Sequence, residues 1–70
     1  MRLRHDPQAN AAYLEFRAIE PGEGSVKLPV DGGDGDVPAL LRFAESGELL
    51  GVELLDAERQ IPQALRDSMG

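Results

Sequence analysis

The chain has 70 residues and no cysteine, with seven basic side chains against thirteen acidic ones and a formal net charge of −6. That length holds a single small domain, taken as residues 1–70, and the missing cysteines exclude disulfide reinforcement and thiolate metal sites. The acidic balance argues against nucleic acid, which would repel the chain unless its basic residues shared one face. They are instead scattered as Arg2, Arg4, Arg17, Lys27, Arg42, Arg59 and Arg66.

In chain order, the first element expected is a strand over Met1–His5. The turn text "HDPQAN" follows, with Asp6 placed to accept a backbone hydrogen bond, Pro7 fixing φ at the first corner and Asn10 suited to a left-handed conformation. It predicts a short hairpin loop leading into a second strand over Ala11–Ala18, where Ala12, Leu14 and Phe16 alternate with Tyr13, Glu15 and Arg17. Pro21–Gly22 reads as a type II turn. A third strand over Val26–Val30 carries Pro29, which cannot donate to a ladder, and so belongs at a sheet edge.

The glycine- and aspartate-rich stretch "VDGGDGDVP" breaks the pattern next. Leu41 and Phe43 then alternate with Arg42, and Leu50, Val52 and Leu54 alternate with Gly51 and Glu53. Between these two strands Gly47 fits the left-handed position of a type I turn with a glycine bulge. After Leu55 the period changes. Asp56 is placed to cap a helical turn at Ala57–Gln60, and Pro62 suits the first position of a second short helix, with Ile61 and Leu65 directed at the sheet. The last few residues, to Gly70, are expected to fray.

The fold class predicted is therefore α+β: a small antiparallel sheet of four to five short strands with one or two short C-terminal helices. A domain of this size hides about 60% of its unfolded surface and is marginal without staples. Association with another chain is the expected remedy. No apolar run reaches the length of a membrane span, and "MRLRHDPQAN" has no apolar leader core, so a soluble cytoplasmic protein with no membrane partner is expected.

Two stretches, "HDPQANAAYLEF" and "LLRFAESGELLGVELLDA", read together as a known pattern. They resemble the opening and the close of the domain of unknown function numbered 2283, a family of small bacterial proteins. The positions that carry the likeness are Asp6, Pro7, Asn10, Ala11, Tyr13, Gly47, Gly51, Glu53, Leu55, Asp56 and Ala57, with His5 standing where the family usually has an aromatic residue. The resemblance implies a small β-rich fold and no established activity. Some members of that family are similar in size and setting to the acidic halves of two-protein bacterial systems.

No catalytic couple is legible. His5 and Asp6 are neighbours on a strand and point to opposite faces, so they form no oriented acid–base pair, and Ser25, Ser46 and Ser68 fall in turns or the tail. The loop Asp31–Asp36 holds three aspartates and three glycines but fits neither calcium pattern tried on it. Counted from Asp31 the twelfth position is Arg42, and counted from Asp34 the sixth is Ala39, not glycine. It reads as a connector, with no metal or other cofactor implied. Tyr13 and Leu55 fall in the opposite register to Leu14 and Leu54. With Leu40 and Leu49 they are expected to form an apolar patch on the outer sheet face, a protein interface.

The reading preferred is a non-enzymatic interaction module that self-associates, most simply as a homodimer. One alternative is an acidic, antitoxin-like partner of a small basic protein. Others are a small ligand- or metal-binding domain using the Asp31–Asp36 loop, and an enzyme whose site forms between subunits from Asp6, Glu15, Glu53 and Asp56.

Overall fold

Each alternating segment becomes a strand in the computed structural model, which describes residues 1–68. They are β1 (Arg2–Asp6), β2 (Ala11–Glu15), β3 (Ser25–Pro29), β4 (Ala39–Ala44) and β5 (Leu49–Leu54), followed by helices α1 (Ala57–Gln60) and α2 (Gln63–Ser68). All neighbours pair antiparallel in a five-stranded sheet of order β1-β2-β5-β4-β3. This is the α+β architecture expected. The fraying expected toward Gly70 lies outside the described residues.

The turns form by the chemistry their residues supply. Asp6 accepts the N–H groups of Gln8 and Ala9, and Asn10 takes a left-handed φ of 51° with its N–H on the Pro7 carbonyl. Gly22 (φ 80°) closes a turn in which Glu23 N–H donates to Glu20 O. Gly47 (φ 95°) donates to Ala44 O while Ala44 N–H donates to Glu48 O, a type I turn with its glycine bulge. Pro29 does lie on an edge strand.

Apart from β3, which runs Ser25–Pro29 where Val26–Val30 was expected, two details differ from expectation. β2 ends at Glu15, not Ala18. Past that point Phe16 and Arg17 N–H both donate to Leu50 O, and on the other flank of β5 a bulge intervenes: Arg42 faces Gly51 but Phe43 faces Leu49, leaving Leu50 as the extra residue. Arg17 then leaves the ladder to donate two bonds to the Glu23 carboxylate (2.8 and 2.9 Å) and one to Ala18 O, with a further ion pair to Glu48. Held first by Glu23 and then by Glu48, its guanidinium keeps its proton more firmly than an ordinary arginine.

The second difference concerns the helix start. Asp56 makes no side-chain capping bond. The capping groups come from the β1–β2 turn, where Asn10 Oδ1 accepts Glu58 N–H and Asn10 O accepts Ala57 N–H. Sequence offers Asp56 as a local acceptor; the approach of the turn supplies a better-placed one.

Register assigns the two sheet faces. One row crosses all five strands as Leu3, Leu14, Val52, Leu41 and Leu28, and the next as His5, Ala12, Leu54 and Ala39. On this face Ala12 packs with Ala57 and Ile61, joined by Leu3, Leu54 and Leu65. Both helices are shorter than an isolated helix can sustain and depend on that contact. They cover one corner of the sheet. No described helix is long and apolar enough to cross a membrane.

Candidate functional site

The opposite face is built from charge. Its rows read Arg2, Glu15, Gly51, Arg42, Lys27 and Arg4, Tyr13, Glu53, Leu40, Pro29 across the strands. Glu53 accepts from Arg42 at 2.9 Å and pairs with Lys27 at 3.3 Å, while Glu15 pairs with Arg4 at 3.3 Å. The Arg42 guanidinium also lies 5.5 Å from the centroid of the Tyr13 ring. That ring occupies the space over Gly51: a Cβ there would come within 2.4 Å of the Tyr13 hydroxyl and of Leu14 O. The glycine provides room for a tyrosine that an arginine then covers.

The four residues expected as an interface are thereby dispersed. Tyr13 and Leu40 are half-buried on either side of Glu53 in one row. Leu49 is exposed but opposite Phe43, because the bulge turns the register, and Leu55 is exposed beyond the other end of β5. The register sets Leu49 and Leu55 apart from the row of Tyr13, Glu53 and Leu40. Period-two counting placed them on one face; a bulge and a row of charges separate them.

The acids weighed for an intersubunit site are each engaged separately. Asp6 caps its own turn, Glu15 and Glu53 hold ion pairs, and Asp56 accepts Asn10 Nδ2 at 2.8 Å and lies 3.8 Å from Arg59. His5 is exposed on the helix-bearing face, away from the Asp6 carboxylate. Ser25 opens β3 rather than a turn, and Ser46 Oγ accepts Glu48 N–H.

The Asp31–Asp36 loop is a pair of closed turns. Asp31 Oδ1 accepts Gly33 N–H, Gly32 N–H donates to Asp36 O, and Asp36 N–H donates to Gly33 O, with Gly33, Asp34 and Gly35 all at positive φ. Among the described residues no three acidic or histidine side chains converge as a metal cluster would. A recess of about 430 Å³ beside this loop, touching Asp36, Val37, Leu55 and Arg59, is open.

What remains is the helix-bearing face beyond the helices. Phe16, Val26 and Leu28 are 46%, 50% and 48% exposed there, and Leu14, Leu41, Phe43 and Val52 are half-buried beside them. The molecule is a plate of 35 × 33 × 20 Å. Its radius of gyration is 12.9 Å, against about 11 Å for a compact domain of this length. Its accessible surface is 4858 Å², about 600 Å² more than a compact monomer of this mass exposes. A sheet face ordinarily packs under a full second layer, and here that layer stops at a corner. Alternation did identify this face as the apolar one. Ten helical residues against five strands were the available sign that they could not cover it.

No curated protein and no solved structure matches the chain. A family model does, over residues 2–58. That span takes in the turn at Asn10, Tyr13 with Gly51, and the docked start of α1. By this match the chain belongs to the family described as Protein of unknown function (DUF2283).

Proposed function

We propose that the protein is a non-enzymatic interaction module that associates with itself through the uncovered apolar half of its sheet. The observation that carries this is the exposure of Phe16, Val26 and Leu28 on the face whose other end forms the core. Three large apolar side chains half exposed to water favour a partner, each contributing about 1 kcal/mol when its remaining surface is buried. The non-enzymatic part rests on the separate engagement of Asp6, Glu15, Glu53 and Asp56 in turns and ion pairs. Sedimentation velocity at micromolar concentration tests the proposal. A dimer or larger species is expected, and a monomeric mass at every concentration reached would remove it.

A second reading, an acidic partner for a basic protein, is favoured by the disposition of charge. Arg4, Arg17, Lys27, Arg42 and Arg59 are neutralised by the chain's own carboxylates, whereas Asp31, Asp34 and Asp36 form no ion pair among the described residues. That would give a basic partner an uncompensated acidic loop at one end of the molecule. Titration with a small basic protein at low and moderate salt separates it from self-association.

A further inference from the structure

Building on the self-association reading, we infer that the partner is a second copy stacked face to face about a twofold axis, with neither sheet edge adding strands. The edges are the natural competitor, since an open strand is a template for another chain. β3 is exposed along its whole length. Its register, however, works against pairing. Val30 N–H donates to Ala39 O, so by antiparallel alternation Leu28 and Val26 also turn their amides toward β4, while Ser25, Lys27 and Pro29 turn theirs outward. One of those three outward positions is a proline with no N–H, and another carries a lysine. These are two devices that blunt an edge. The β1 edge carries Arg2 and Arg4.

The face has no such guard. Among Phe16, Val26, Leu28, Leu41, Phe43 and Val52 there is no charge, so a basic protein finds no carboxylate to pair with inside the patch. A second copy presents the same uncharged surface and satisfies the twofold rule that one patch meets itself. The whole chain exposes about 600 Å² more than a compact monomer of its mass, as expected of a sheet that lacks part of its second layer, against the roughly 800 Å² per partner of a standard interface. Two sheets stacked about 10 Å apart would complete a sandwich, each copy supplying the layer that the other's helices leave unfinished.

Because each chain carries a net charge of −6, this contact has an unusual salt response. The two chains repel as like charges while the apolar contact attracts, so screening strengthens the dimer. Between about 10 mM salt, with a Debye length of about 30 Å, and about 150 mM, with about 8 Å, the dimer tightens.

The test combines sedimentation on the intact chain with amide exchange read residue by residue. Expected are a dimer that tightens with salt, at least a tenfold rise in its Kd for Leu28→Asp, and an outward Lys27 N–H that exchanges freely in the dimer. Leu28 is half exposed on an edge strand, so its charged variant should fold, and the wild-type exchange data stand whether or not it does. A dimer that protects Lys27 N–H and ignores Leu28→Asp would overturn stacking and leave self-association standing. A dimer that loosens with salt would overturn stacking in favour of a charge-driven contact. A monomer under all conditions would overturn both.

Discussion

The Asn10 carboxamide ties together two turns 46 residues apart: its Nδ2 donates to Asp56 Oδ1 at 2.8 Å, and its Oδ1 accepts Glu58 N–H at 2.8 Å. Its own carbonyl accepts Ala57 N–H at 3.0 Å. The two sequence stretches that carry the family likeness therefore meet in space. What they build is a docking joint between the first hairpin and α1, which holds Ala57 and Ile61 against Ala12.

Replacing Asn10 separates the parts of that joint. Asn10→Gly keeps the left-handed backbone and loses two side-chain hydrogen bonds, which should cost about 1–2 kcal/mol. Asn10→Ala loses the same bonds and adds about 1 kcal/mol or more for an alanine at φ 51°. Urea unfolding should rank the alanine variant below the glycine one. The reverse order would show that the backbone conformation is not what the position demands.

Gly51→Ala tests the seat of Tyr13. The added Cβ would meet both the ring and Leu14 O at 2.4–2.5 Å, and overpacking of this kind costs about 1–3 kcal/mol. Pairing it with Tyr13→Leu should restore part of the loss, since the ring can be withdrawn but the β2 backbone cannot. Full additivity of the two substitutions would mean that Tyr13 and Gly51 do not share this space.

Glu23 makes stability depend on acid. Its carboxyl is lowered from 4.5 to about 2, first by the hydrogen bonds from Arg17 and then by Glu20 N–H. A carboxylate whose folded value is depressed contributes fully above its unfolded value and loses that contribution as pH falls through the folded one. Its part in stability should thus be intact above pH 4.5 and lost toward pH 2. Melting temperatures of the wild type and Glu23→Gln, measured between pH 5 and pH 2, should converge as the pH drops. Curves that stay parallel would deny Glu23 this role.

The aspartate loop should behave as a turn. Asp34 sits at φ 53°, a conformation asparagine shares, so Asp34→Asn should change stability by less than about 0.5 kcal/mol. Calcium added to millimolar concentration should leave the melting temperature in place. A rise that Asp34→Asn abolishes would make the loop a cation site after all.

Much of this molecule is written locally. Alternation in "AAYLE" and "GVEL" sets which residues share a face, Pro29 places its strand at an edge, and Asp6, Gly22 and Gly47 close their turns with their own backbone or side chain. These choices depend on residues within a few positions of one another, where sterics and short hydrogen bonds decide. Asn10 as the cap of α1, Tyr13 over Gly51, and the bulge at Leu50 that sends Leu49 to the row of Phe43 depend on neighbours dozens of residues away. No periodic signal encodes a distance of that kind. The location of exposed apolar surface belongs with them. The sequence names the apolar face, but how much of it two short helices cover is settled by where Asn10 anchors them, since burial is a property of packed neighbours and not of any one residue.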